Sequence, residues 1–163
     1  MTDFDRSIAF VLAHEGEWSD DPEDPGGRTR FGISSRSHPG IDLDTLTREQ
    51  AIVYYRAAYW TKAHCDQLPW PLSLVLFDGA VQHGIIPATR FLQHALHVEV
   101  DGVLGPETLA AARSAPAPDV VAETLARRAV LYATLHERFR LGWYRRLFAL
   151  LAAALTPYPE VPR

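Results

Sequence analysis

The sequence predicts an α+β fold, predominantly α-helical, with one small β-hairpin directly after the first helix. Three observations predict it. Apolar residues recur every three or four positions along most of the 163 residues. The turn-rich stretch DDPEDPGG at 20–27, followed by RTRFGIS at 28–34, breaks that rhythm in the manner of a hairpin. Proline and glycine fall mainly where helices start and stop. With 47% apolar residues, the chain can bury about two-thirds of its unfolded surface in one domain, so 1–163 is read as a single domain.

The elements follow in order. A first helix is expected from Asp3 to Glu15 or Gly16, because Phe4, Ile8, Val11, Leu12 and Glu15 share one face. Gly26 and Gly27 permit the tight turn of the hairpin. Thr47 and Gln50 form a capping box, with Leu46 and Ala51 as its staple, and the helix they start continues through Tyr54, Tyr55 and Ala58 toward Trp60. Pro71 and Pro87 open two further helices that end near Gly84 and His97. A turn at Asp101 and Gly102 precedes a short helix from Pro106, and Asp119 is expected to cap a long one bearing Val121, Leu125, Ala129, Tyr132 and Phe139. Gly142 is expected to break the chain before a last helix, Trp143 to Leu155.

Charge and composition exclude several function classes. The net charge is −4, and residues 1–112 hold 8 Lys+Arg against 16 Asp+Glu, whereas residues 113–163 hold 8 against 4. An acidic chain whose cations gather on helices near one end lacks the distributed positive surface that phosphate neutralisation needs, so no nucleic-acid partner is expected. The lone Cys65 allows no intrachain disulfide and reads as a buried or bystander thiol. Asp3 and Asp5 stand where a secretory signal would carry positive charge, and no window reaches the roughly 18 apolar residues of a membrane span, so cytoplasmic synthesis without a signal peptide is expected.

The chemistry concentrates after the first helix. Glu15 closes an apolar face, where desolvation raises a carboxyl pKa, while Asp20, Asp21, Glu23 and Asp24 crowd a solvated turn where one acid stays ionised. Two carboxyls held in different protonation states are what a glycosidase requires. Spacing alone leaves open a plainer alternative, a surface carboxylate followed by a solvated loop. Gly16, Phe31 and Gly32 are read as walls of a sugar cleft, with Gly32 removing a side chain where a ring approaches. Trp18 and Trp60 are candidates to stack on sugar faces, Tyr54 is assigned to the core, and Asp78 and His83 either line the cleft or serve helix packing. His14-Glu15 opens like a zinc-binding HExxH helix, but position 18 is Trp, and His94 with His97 lacks a third ligand; neither metal nor other cofactor is expected.

The run HEGEWSDDPEDPGGRTRFGIS at 14–34 resembles the opening motif of the family 108 glycoside hydrolases, lysozyme-like N-acetylmuramidases common in phages and prophages. YYRAAYW at 54–60, LFDGAVQHG at 76–84, DGVLGPETL at 101–109 and RFRLGWYRR at 138–146 extend the resemblance over almost the whole chain. It implies a lysozyme-like fold and assigns the catalytic acid to Glu15. DGVLGPETL is similar to peptidoglycan-binding modules, which implies a catalytic half at 1–97 and a helical wall-binding-like half at 98–156. A more distant similarity to phage-type lysozymes, with Glu, then Asp nine residues on, then Thr six further, matches Glu15 and Asp24 and puts Thr29 one residue short. Two departures stand out: Glu17 replaces the second glycine of EGG, and Gln82 stands where Asn is usual, still able to offer an amide to an N-acetyl group.

The resemblance implies cleavage of the β-1,4 bond between N-acetylmuramic acid and N-acetylglucosamine, with Asp24 and Thr29 holding a water and inversion as the outcome. Peptidoglycan glycan strands are the expected partner and a monomer the expected state. The implied role is that of an endolysin reaching the wall through a holin or a secretion system; a non-catalytic wall-binding or secretion-assisting module is the alternative. Arg127, Arg128, Arg138, Arg140, Arg145 and Arg146 are read as a solvated face on helices whose Trp143, Leu147 and Leu151 close the core, with contact to anionic envelope surfaces as a further reading.

Overall fold

The structure, a computed structural model, describes residues 1–19, 27–36, 38 and 40–157. Helix α1 (Asp3–Glu15) starts at a capping box: the Thr2 hydroxyl accepts from Asp5 N, and the Asp5 carboxylate accepts from Thr2 N at 2.7 Å. It buries Phe4, Ile8, Val11 and Leu12, and Gly16, at φ 73°, ends it by turning the chain back. The strands β1 (Trp18–Ser19), β2 (Thr29–Arg30) and β3 (Ile33–Ser34) then form an antiparallel sheet in the order β1-β2-β3, with Trp18 opposite Arg30 and Arg30 opposite Ile33.

The hairpin expected after the first helix is present, and β3 adds a second. The second forms because Phe31 (φ 51°) and Gly32 (φ 76°) both turn left-handed, which closes a two-residue turn matched to strand twist. A non-glycine residue in that region costs on the order of 1–2 kcal/mol. Phe31 is fastened there by Tyr55, whose hydroxyl donates to the Phe31 carbonyl at 2.8 Å.

Helix α2 (Arg48–Tyr55) begins at the Thr47–Gln50 capping box, and the chain continues through a π-helical turn, Arg56–Trp60. Helix α3 (Leu72–His83) is the centre of the molecule, buried without interruption from Leu72 to Ala80, with α1, α4, α6 and α7 packed around it. Gly84, at φ 85°, separates it from α4 (Ile85–Leu96). The two cross closely at Gly79, where an added Cβ would lie 3.1 Å from Ala88 Cβ.

Helix α5 (Pro106–Ser114) follows a turn organised by buried Gln93, whose amide nitrogen donates to Asp101 at 2.7 Å and to the Val103 carbonyl at 2.9 Å, and whose oxygen accepts from Gly102 N at 2.8 Å. Within DGVLGPETL, Thr108 is buried and lies 3.2 Å from Gln93 Nε2, whereas Asp101 and Glu107 are exposed. Helix α6 (Ala117–Thr134) starts three residues earlier than expected, with Pro116 and Pro118 flanking its first residue; Asp119 lies inside the first turn and is not the cap. Helix α7 (Glu137–Leu155) corrects the last boundary: the break falls at Leu135 and His136, Phe139 belongs to α7, and Gly142 lies inside it. A mid-helix glycine costs only about 1 kcal/mol, which a helix packed along its length tolerates.

One contiguous core runs from Phe4 to Ala154 and joins both halves of the chain. Among the described residues no helix is long and apolar enough to cross a membrane.

Candidate active site

Glu15 sits on the last turn of α1, where the apolar stripe that buries Phe4, Ile8 and Val11 reaches the surface. Its carboxyl faces a pocket of about 530 Å³ lined by His14, Gln82, Gly142, Trp143, Arg145, Arg146 and Ala149. Oε1 accepts from Arg146 Nη1 at 2.7 Å and from Gln82 Nε2 at 3.0 Å. Oε2 takes no hydrogen bond among the described residues. It lies against the backbone of Gly32: a Cβ there would stand 2.8 Å from Glu15 Cγ and Oε2 and 2.5 Å from the Tyr55 hydroxyl. The glycine's missing side chain makes room for the carboxyl itself, on the wall where a sugar was expected. The carboxyl can carry a proton on Oε2 while Oε1 keeps its two donors.

Behind Glu15 the charges continue inward. Arg146 places Nε and Nη2 each 2.8 Å from Asp78 Oδ1, and Arg128 Nη2 lies 2.7 Å from Asp78 Oδ2. Arg128 also donates to the Tyr132 hydroxyl at 3.2 Å, and that hydroxyl lies 3.0 Å from His83 Nε2. Two acids and two guanidiniums alternate in one network, and such pairing of opposite charges is what makes buried charge tolerable. Burial acts to raise the Asp78 pKa, but the Arg128 and Arg146 charges outweigh it and hold it below the usual carboxylate range. Burial likewise opposes the charge on Arg146, and Asp78 and Glu15 more than offset it. His83 is pushed down to about 4, first by burial and then by Arg128.

Several expectations need correction. Asp78 is 0% exposed and does not line the cleft; its role is to pair two arginines. Trp60 is a core residue, edge-on to Phe4 and Phe77 at 5.3 and 5.4 Å, and presents no face to a sugar. Gln82 directs its amide nitrogen to Glu15, not outward to an N-acetyl group. His83 faces inward to Tyr132. The arginine face is not uniformly solvated either, because Arg128 and Arg146 are buried.

The other assigned residues that the structure describes lie outside the lining of the Glu15 pocket. Trp18 is 43% exposed, with the guanidiniums of Arg28 and Arg30 at 5.1 and 4.8 Å from its ring centre. Gly16 and Phe31 border a second depression of about 330 Å³ with Ala9, Ala13, Glu17 and Arg48. Thr29 is half-buried in β2, between Ser19 and Ser34. Tyr54 is half-buried, its hydroxyl 2.6 Å from His38 Nε2. Asp24, with Asp20, Asp21, Glu23 and Gly26, lies outside the described residues.

Arg146, Arg128 and Tyr55 were not anticipated as parts of the site. Their signal lay in the periodicity. Arg146 shares a helical stripe with Trp143, Leu150 and Ala154, and Arg128 one with Val121, Thr124, Leu125 and Tyr132, positions that the apolar pattern marks as core. A charged residue on a core stripe needs a buried partner, and Asp78, inside the apolar run of α3, is the matching anion.

The comparisons with known proteins fit this geometry. The family model Glycosyl hydrolase 108 matches residues 8–84, and the model Predicted Peptidoglycan domain matches residues 87–148. Among solved structures, one described as the structure of Brucella abortus SagA is similar over 93% of this chain and 93% of its own, at 31% identity and a TM-score of 0.84. No curated protein matches. The two models give the chain a peptidoglycan-related, lysozyme-like function with glycoside hydrolase activity. With a relative of that identity spanning nearly both chains, and with Glu15 of the EG motif on the wall of an open pocket, the chain belongs to the glycosyl hydrolase 108 family.

Proposed function

We propose that the chain is an N-acetylmuramidase that cleaves the β-1,4 bond between N-acetylmuramic acid and N-acetylglucosamine, with Glu15 as the general acid. The observation that carries this reading is the pairing at Glu15: one carboxyl oxygen anchored by Arg146 and Gln82, the other without a partner among the described residues, on the wall of the pocket. An anchored carboxyl with one open oxygen is positioned to deliver a proton to a glycosidic oxygen as the oxocarbenium-like centre develops. Asp24, with Thr29, would hold the attacking water on the opposite sugar face, giving inversion. The cellular role assigned is that of an endolysin, on the likeness of its motifs to phage and prophage members.

The test is to digest purified peptidoglycan and identify both the new chain end and its first-formed anomer. Reducing N-acetylmuramic acid, released first as the α-anomer, is the expected product. Reducing N-acetylglucosamine would overturn the bond assignment, and a β-anomer the inversion. Binding to the wall with no new reducing end would leave a non-catalytic module.

A further inference from the structure

Arg145 and Arg146 are neighbours on α7, both line the Glu15 pocket, and only one of them is used inside the protein. Arg146 is buried against Glu15 and Asp78, whereas Arg145 is exposed and has no acid partner among the described residues. Along α7 the pocket stripe runs Gly142, Arg145, Arg146, Ala149, so the exposed guanidinium is flanked by the two smallest side chains. Gly142 is not required by packing, because a Cβ added there meets nothing within 4 Å, and its φ is not left-handed. The pocket thus has open space beside an uncommitted cation, and the half-buried Trp143 ring, stacked on Tyr132 at 5.1 Å, borders the same space.

A glycan whose lactyl carboxyls are all in amide linkage offers no charge of its own for that cation. Peptidoglycan does, because the lactyl arm of each muramic acid carries a stem peptide with free carboxylates, the lactyl carboxyl itself being tied up in the amide. Resting on the muramidase reading above, we propose that Arg145 is a carboxylate-binding residue of the cleft and that the Gly142–Arg145–Ala149 stripe seats the stem peptide. A guanidinium suits this task, since its planar donors match a carboxylate.

The test pairs a protein change with a substrate change. Soluble, un-cross-linked glycan strands bearing stem peptides are compared with the same strands after carbodiimide and ammonia convert the peptide carboxylates to amides. On native strands Arg145→Gln should raise KM about three- to fivefold, the size expected of a solvent-accessible ion pair, with the larger part of the effect in KM and not in kcat. Amidation should raise the wild-type KM by a similar factor, and the two changes together should do no more than either alone. Arg145→Lys should retain part of the effect, and Gly142→Leu, which fills the space beside Arg145, should impair native strands. Equal losses for Arg145→Gln on native and amidated strands, or no loss on native ones, would overturn the proposal. Binding of both strands by Glu15→Gln, with and without Arg145→Gln, reads the same cycle without turnover. If the wild type makes no reducing ends, the muramidase reading fails, and the binding cycle still decides the role of Arg145.

Discussion

At its inner end, between α3 and α6, the charge network buries Asp78 and Arg128 out of reach of water; at its outer end, between α1 and α7, Arg146 meets a Glu15 that still faces a pocket. The same chemical pair stands at both ends, yet the two carboxylates are used differently. Both oxygens of Asp78 are taken by guanidiniums, whereas Glu15 commits only Oε1. Complete pairing is the condition for keeping an anion in the core, and incomplete pairing is what leaves an oxygen available for proton transfer. The inner end should therefore answer to stability measurements and the outer end to rate measurements.

The largest expected effect is at the outer end. Glu15→Gln keeps the shape and the contacts of an amide oxygen but removes the proton donor, so reducing-end release should fall on the order of 10²- to 10⁴-fold while the melting temperature changes little. A folded Glu15→Gln protein that digests walls at the normal rate would remove Glu15 from the chemistry and erase the distinction between the two ends.

Next comes Asp78→Asn. It leaves two buried guanidiniums facing an uncharged amide, and breaking a buried pair in this way costs about 3–5 kcal/mol, readable by denaturant unfolding. Acid titration gives an independent view of the same end. His83, held down to about 4 from an ordinary value of 6.5, is neutral in the folded chain while the unfolded chain already binds a proton, so stability should fall as pH drops through that window and level off below it. Asp78 works in the same sense at lower pH: its depressed pKa contributes stability that is fully present above the unfolded carboxylate value and is lost as pH falls through the lower, folded one. Melting in pH steps should show two descents, and His83→Gln should abolish the upper one alone. A single descent shared by wild type and variant would mean that His83 is not kept neutral by this environment.

Gly32→Ala follows, and it joins the two measurements. The glycine holds φ 76°, and a Cβ there would press on the Tyr55 hydroxyl at 2.5 Å and on the Glu15 carboxyl at 2.8 Å. Strain and overpacking of this kind cost roughly 1–3 kcal/mol. Because the pressed atoms include Oε2, activity at a temperature well below melting should fall too, and a variant that lost stability but kept full activity would show that Oε2 is not the reactive oxygen.

Much of this was legible in the chain itself. The bounds of α1, the capping box at Thr47, the breaks at Gly84 and His97, and Glu15 at the end of an apolar stripe all follow from local spacing. What was not legible depends on residues brought together across the chain. Arg146 lies 131 positions from Glu15, and nothing local distinguishes it from Arg145, which points outward. Asp78 reads from the sequence as either a cleft or a packing residue, because an acid in an apolar run can be functional or paired, and only the arrival of α6 and α7 decides between them. Trp60 was misplaced for the same reason: its partners Phe4 and Phe77 come from distant segments. Gly142 was read as a break because glycine ends many helices, whereas here the packing of α7 carries the helix through it.

The smallest effect expected is at that glycine, and its sign separates stability from function most cleanly. Gly142 has ordinary helical company on both sides, and a methyl group there meets no atom within 4 Å. Gly142→Ala should therefore stabilise α7 by about 0.5–1 kcal/mol, the difference in helix propensity, mostly by restricting the unfolded chain. If the glycine is present to keep the pocket open, that gain should come with a modest rise in KM for peptide-bearing strands and none for amidated ones. Stabilisation with unchanged KM on both substrates would mean that the space beside Arg145 is not occupied by substrate. Destabilisation would mean that α7 bends at this residue in a way that alanine cannot follow.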